Sequence, residues 1–359
     1  MSADETVELD AVATWLEPRL QDAAGLTLTL GGTPGSGFSA ETTILLAEWR
    51  EAGEPRSDRF VLRRESPHPA VYPAQTPDAQ VEVDLQYRIM RAVAAASDLP
   101  LAPLLGYESD PAVLGSPFFV MGFVDGVVPI ETPMYTLEGF FTEISPEQRR
   151  SMITDGIRML AAVHTIDWRA AGLDWLVPPG AEPTPERQLD IWQRYAADAL
   201  RGREHPLLDQ AFAWLRGNLP AGSSPTLCWG DPRPGNIIWR DHRAACVTDW
   251  EAAYIGAPEL DLGWWLMFDH WAHEASGITE RAEGDLTREE QIELYEQFSG
   301  RSVGATGWYE VFAAARYVAI VVQVMNRWVD RGDLPADHTL WIDNPVVPCL
   351  ASLLTQAQS

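Results

Sequence analysis

Cysteine is scarce in this chain. Cys228, Cys246 and Cys349 are the only three in 359 residues, too few and too scattered for a disulfide framework or a zinc site. Positive charge is scarce as well: 26 basic residues stand against 52 acidic ones, a formal net charge of −26 with histidine counted neutral. A field of that sign disfavours nucleic-acid backbones and anionic membranes and would attract cationic ligands. Met1-Ser2-Ala3-Asp4-Glu5 lacks the basic and apolar regions of a signal peptide, so a cytoplasmic location is expected. No apolar run is free of polar residues over a membrane-spanning length. The longest, Val311 to Val329, carries Arg316, Gln323, Asn326 and Arg327 and reads as a buried helix. What remains is ordinary for a globular protein, with 46% hydrophobic and 22% charged residues. The length suits two domains, or two lobes around a cleft.

The first third reads as strands and loops with one helix. Leu26 to Leu30 alternates with the period of a strand, Gly31 to Ser39 breaks it, Thr42 to Trp49 resumes it, and Arg59 to Arg63 gives a third strand. Arg50 to Ser57 between them reads as a hairpin turn, so an antiparallel sheet is expected. Thr76 and Pro77 look like the N-cap and first residue of a helix, with Val81, Leu85, Ile89 and Val93 as its apolar stripe. Phe118 to Met121 is a short apolar strand, and Gly122 to Gly126 has the pattern of a hinge. The lobe boundary is placed there, giving lobes 1–124 and 125–359. Beyond it the chain is mainly helical. Ser145-Pro146-Glu147-Gln148 opens a helix with a capping box, and Leu189 to Leu200, Leu207 to Leu219 and Glu289 to Phe298 are further helices.

One segment interrupts the helices. Leu227-Cys228-Trp229-Gly230-Asp231-Pro232-Arg233-Pro234-Gly235-Asn236 leads into the apolar run Ile237 to Trp239, and Ala245 to Thr248 answers it across the polar turn Arg240 to Arg243. That is a hairpin pattern. Residues facing each other across such a ribbon lie about 4.5–5.5 Å apart, so Asn236 and Asp249 are expected side by side. An amide oxygen and a carboxylate held together suit a hard cation such as Mg²⁺ bridging phosphates. Asp231, five residues before Asn236 across a loop stiffened by two prolines, has the D-x-x-x-x-N spacing in which an aspartate accepts the proton of an attacking hydroxyl. Singly, either residue would more often serve an Asx turn. The three together favour a catalytic assignment: Asp231 as base, Asn236 and Asp249 as metal ligands.

These residues carry a resemblance. Trp229-Gly230-Asp231-x-x-x-x-Asn236, Thr248-Asp249-Trp250-Glu251 and Gly256-x-Pro258-x-x-Asp261-Leu262 look like the motifs of the aminoglycoside phosphotransferase and choline kinase-like family. The style of Phe60 to Arg64 resembles its bacterial branch related to kinase-like domains fused to some acyl-CoA dehydrogenases. The resemblance implies an α+β, protein kinase-like, two-lobed fold, with a small antiparallel sheet and one main helix above a larger helical lobe. It implies ATP as phosphoryl donor, Mg²⁺, a small-molecule hydroxyl acceptor, and Asp261 as a structural aspartate steadying the catalytic loop. Backbone groups of Met121, Gly122, Phe123 and Val124 would hold the adenine. Gly35, Ser36, Gly37 and Ser39 would cover the phosphates. Leu160 to Trp168 resembles the family's L-x-x-x-H-x-x-D helix end, with His164 read as structural.

Three positions depart from the family pattern. Arg63 stands where a lysine normally meets the phosphates, Gln86 where its glutamate partner is expected (with Glu82 one turn earlier), and Trp229 where a histidine precedes Gly230. Trp264, Trp265, Asp269 and His270 either line the acceptor pocket or pack the core, and Glu251 orients the metal loop. The expected activity is transfer of the γ-phosphoryl group to an alcohol. The alternatives are a nucleotide-binding module with weak or no catalysis, and a metabolic kinase near acyl-CoA chemistry.

Overall fold

The computed structural model describes residues 3–32, 40–221, 223–278 and 280–359. The segment containing Gly35, Ser36, Gly37 and Ser39 lies outside them.

Helix α1 (Ala3–Leu16) leads into strands β1 (Ala23–Gly32), β2 (Glu41–Glu51) and β3 (Glu54–Arg64), followed by helix α2 (Glu82–Ala96) and strands β4 (Leu104–Glu108) and β5 (Phe118–Gly122). The five strands form one antiparallel sheet in the order β1-β2-β3-β5-β4. The β2–β3 turn is tighter than the sequence suggests. Pairing runs to Glu51 opposite Glu54, and Ala52 and Gly53 both take positive φ, at 50° and 91°. Such a two-residue turn matches the twist of the strands it joins. Leu9, Val12, Trp15 and Leu16 of α1 bury one face of the sheet together with Leu45, Phe60, Phe118 and Val120. That helix was not expected, although its buried residues recur at helical spacing. The first third therefore holds two helices.

Helix α2 begins at Glu82, five residues beyond the sequence-based start at Pro77. Thr76 instead closes a local turn, its hydroxyl accepting from the Asp78 N–H. The helix is capped from outside, because the Glu65 carboxylate accepts from the N–H groups of Glu82 and Val83 at 3.2 and 3.0 Å. Leu85, Ile89 and Val93 are buried as the stripe predicts.

The helical lobe holds α3 (Phe140–Glu143), α4 (Pro146–His164), α5 (Pro185–Leu200) and α6 (Pro206–Gly217). Then come β6 (Thr226–Cys228), β7 (Ile237–Arg240), β8 (Arg243–Val247) and β9 (Tyr254–Gly256). Helices α7 (Glu259–Ala272), α8 (Arg288–Ser299), α9 (Gly307–Arg331) and α10 (Val346–Gln358) complete the chain. Ser145 caps α4 in the expected box with Gln148. Helix α9 has the length and composition of a membrane span, but 83% of its most apolar window is buried in the lobe. It packs with α5, α6, α7 and α10 around Trp192, Phe212, Trp264 and Val318.

Candidate active site

Two short ribbons carry the constellation. Strand β6 pairs with β9, and β7 with β8. The β7–β8 turn at Asp241 and His242 has φ of 51° and 60°, again a two-residue hairpin. Ile237 opposes Val247, and the Asn236 carbonyl accepts from both the N–H and the hydroxyl of Thr248 at 2.9 Å. Asn236 thus faces Thr248, one residue short of the expected partner. Asp249 follows in a left-handed conformation, φ 54°, which turns the chain at the mouth of the ribbon.

The loop joining β6 to β7 is fastened from beneath. Asp261, in the first turn of α7 and fully buried, accepts from the N–H groups of Trp229 and Gly230 at 2.6 and 3.1 Å. His164, at the end of α4, hydrogen-bonds Asp261 through Nε2 and the Tyr295 hydroxyl through Nδ1. It supports the loop rather than capping carbonyls of its own helix. Cys228 Sγ lies near this pair, yet both Asp261 oxygens already hold the loop, so the trio is a brace and not a metal centre. Gly230 is required sterically: φ is 92°, and a Cβ there would sit 2.0 Å from the Ala252 carbonyl oxygen. The Trp229 indole donates to the Thr248 carbonyl at 2.8 Å, tying the Asp231 loop to the Asp249 loop.

Asp231 is 4% exposed and receives donors from four residues. Tyr72 Oη donates to Oδ2 at 3.0 Å, Asn236 Nδ2 to Oδ2 at 2.7 Å, Trp264 Nε1 to Oδ1 at 2.7 Å, and Arg233 Nε to both oxygens at 3.1 and 3.2 Å. Burial pushes its carboxyl up to about 7; the Trp264 and Asn236 hydrogen bonds pull against that, and the charge of Asp249 adds to the rise. The Tyr72 hydroxyl is raised well above its ordinary value by burial and by the charges of Asp231 and Glu251, and so remains a donor. Arg233 also ion-pairs with Glu131.

A divalent cation finds a suitable donor set here. Asn236 Nδ2 bonds two acceptors, the backbone and side-chain oxygens of Asp231, which fixes the amide orientation and leaves Oδ1 as a hard oxygen. The Asp249 carboxylate is 35% exposed and 3.3 Å from Arg63. An amide oxygen and a carboxylate beside an open face fit Mg²⁺.

Arg63 and Gln86 do not pair with each other as the family pattern would have it. They meet on Glu251: Arg63 NH2 lies 3.3 Å from Oε2 and Gln86 Nε2 3.1 Å from the same atom. Glu82 is engaged elsewhere, accepting from the Val71 N–H. The sequence contains no lysine at all, and arginine supplies the cation at this strand position. At the hinge, the N–H groups of Gly122 and Phe123 are taken by the carbonyls of Pro103 and Arg59. Among the described residues, that of Val124 has no acceptor. Beyond the hinge, Val127 and Trp239 exchange backbone hydrogen bonds at 2.8 Å, which locks the hinge to the Asn236 ribbon. Trp265 bonds Gln291 and Asp269 pairs with Arg281. Both are buried in the core, and Trp264, buried there too, also reaches Asp231.

Residues 35–298 match the family model of the phosphotransferase enzyme family. The chain belongs to that family. This phosphotransferase-family chain shares the aminoglycoside phosphotransferase-like fold. A candidate aminoglycoside phosphotransferase from Ralstonia eutropha superposes with a TM-score of 0.72 at 24% identity, covering 97% of this chain and 98% of its own. A spectinomycin phosphotransferase solved with ADP and spectinomycin gives 0.51 at 9% identity, with 99% of each chain covered. Among curated relatives, the Arabidopsis thaliana protein named acyl-CoA dehydrogenase IBR3 is 27% identical over 76% of this chain. The chain spans only 33% of that relative's length.

Tyr72 and Arg233 are the site residues that sequence reasoning did not name, whereas Trp264 was left between acceptor pocket and core and bonds Asp231. Arg233 lies inside the D-x-x-x-x-N loop and could have been read there. Tyr72 reaches Asp231 across 159 residues, and no local pattern signals it.

Proposed function

We propose that the chain transfers the γ-phosphoryl group of ATP to a hydroxyl of a small molecule, with 1–124 as nucleotide lobe and 125–359 as catalytic and acceptor lobe. The observation that carries this reading is the buried Asp231 carboxylate held by Asn236, beside Asp249. In the reaction the bond from the γ-phosphorus to the β,γ-bridging oxygen breaks and a bond to the acceptor oxygen forms. The acceptor proton passes to Asp231. Asn236 Oδ1 and Asp249 would hold Mg²⁺, which when bound neutralises phosphate charge. Arg63, anchored on Asp249 and Glu251, adds a second positive contact. The Val124 N–H, which has no acceptor among the described residues, is the hinge donor we assign to adenine. Protein groups here orient and neutralise rather than form covalent intermediates.

A second reading, a nucleotide-binding module with little catalysis, draws on Arg63 being held by two carboxylates and on Gln86 in place of an acid. The acceptor class has two leads. The net charge of −26 favours cationic acceptors, whereas the curated relatives are named as acyl-CoA dehydrogenases. Thermal-shift screening with Mg-ATP and an acceptor panel, followed by product assays on the hits, tests the assignment. Asp231→Asn should keep nucleotide binding and lose transfer by about 10²–10⁴-fold. Transfer at the wild-type rate would remove Asp231 from the mechanism.

A further inference from the structure

Three of the four residues donating to Asp231 belong to the helical lobe's own frame: Arg233 and Asn236 lie on the same loop, and Trp264 on α7. Tyr72 does not. It comes from the strap of residues 66–81 that joins β3 to α2, and this strap leaves the small lobe to lie across the large one. Arg327 donates to the Pro69 carbonyl and Tyr195 to that of Val71. Arg187 NH2 donates to the Gln75 carbonyl at 2.7 Å, and Gln188 Nε2 to Gln75 Oε1 at 2.8 Å. Val71 is buried in the same apolar cluster as Leu189 and Trp192 of α5.

A carboxylate offers about four lone-pair sites, and Asp231 has donors for all of them. An acceptor alcohol needs a place within hydrogen-bond reach of one of those oxygens. Asn236 cannot vacate its place without losing the amide orientation that presents Oδ1, Trp264 is buried in the cluster around α9, and Arg233 is tied to Glu131 as well. The remaining hydroxyl donor is a phenol, chemically an alcohol-like O–H, already set against Oδ2. A cavity of about 140 Å³, lined by Ala70, Tyr72, Gln75, Glu82, Glu251 and Ala252 among others, lies under the strap and gives the ring room to move.

We propose that Tyr72 is the gate of the acceptor site: its hydroxyl holds the position that the acceptor hydroxyl takes, and the strap must shift before Asp231 can act. The gate keeps water from that position when no acceptor is present, so that ATP is not hydrolysed idly. It also sets a specificity rule, since an acceptor must bind strongly enough to displace the phenol from a buried carboxylate. This inference rests on Asp231 being the base in the reading above.

The test uses the full chain with Mg-ATP and no acceptor, following ADP release and, separately, ATP affinity. Tyr72→Ala should raise acceptor-independent ATP hydrolysis by about tenfold or more. Tyr72→Phe, which keeps the ring and loses the hydroxyl, should raise it less. Arg187→Ala frees the strap at Gln75 without touching Asp231 and should also raise it. Adding Asp231→Asn to Tyr72→Ala should return the rate to the wild-type baseline. A residue that merely supported the fold would lower the rate on removal, so the gain is the distinguishing sign. Should Tyr72→Ala fail to fold, Tyr72→Phe and Arg187→Ala carry the test. Variants that bind Mg-ATP normally yet hydrolyse it at the wild-type rate overturn the gate alone. Absence of Mg-ATP binding in every protein, wild type included, overturns the phosphotransferase reading and the gate with it.

Discussion

Arg63 of β3 and Gln86 of α2 converge on one oxygen of Glu251, and Arg63 reaches Asp249 as well. The negative charge expected on α2 has moved to the loop that carries the proposed metal ligand. The sheet lobe and the Asp249 loop are joined through Glu251 rather than through a strand-to-helix ion pair. Glu251→Ala removes the shared acceptor from a largely buried arginine and amide. Stability should fall by about 1–3 kcal/mol, read by chemical denaturation, and the KM for ATP should rise while Asp231 keeps its surroundings. An unchanged KM would mean that Arg63 does not depend on Glu251 for its position. At this scale the sequence was most informative where partners lie on one short ribbon. Asp231 and Asn236 could be grouped by their five-residue spacing, and the hairpin pattern put Asp249 within one residue of Thr248, which Asn236 faces. Glu251 could be named but not its partners, since those depend on how β3 and α2 approach the loop. Tyr72 and Trp264 depend on contacts between elements that no local period encodes.

Among the elements, α2 shows how a local signal loses to a tertiary one. Thr76-Pro77 has the form of a helix start, and its hydroxyl does make a capping-type bond, to Asp78. The chain nonetheless stays irregular until Glu82, because the Glu65 carboxylate satisfies the first helical N–H groups there and leaves 66–81 free to cross onto α5 and α9. Glu65→Ala should destabilise the fold by about 0.5–2 kcal/mol, as loss of a cap does. Glu65→Gln, which keeps one acceptor oxygen, should cost less, and a thermal unfolding series compares the two. Equal stability of all three proteins would mean that the cap is not what sets the helix start. Ser145 and its capping box were legible because every part lies within four residues. Helix α1 went unread although Leu9, Val12, Ala13 and Leu16 stand at helical spacing, because its acidic, Ala-rich remainder gives it little amphipathic contrast.

On the scale of the whole molecule, the two lobes are joined at the Gly122–Val124 hinge, which the Val127–Trp239 exchange fastens to the Asn236 ribbon, by the contacts on Glu251, and by the strap. The hinge pattern was visible as an apolar strand followed by glycines. The other contacts were not, because each pairs a segment in or near the sheet with residues more than a hundred positions away. Sequence thus conveyed the antiparallel sheet, the helical lobe and the ribbon between its helices, and the structure supplied how the lobes are held and what covers Asp231. The account depends most on Asn236 and Asp249 forming a magnesium site next to Asp231. Isothermal titration of Mg-ATP into the wild type, Asp231→Asn and Asp249→Ala proteins tests this directly. Mg²⁺-dependent ATP binding should persist in Asp231→Asn and weaken at least about tenfold in Asp249→Ala. Wild-type affinity for Mg-ATP in Asp249→Ala would contradict the account.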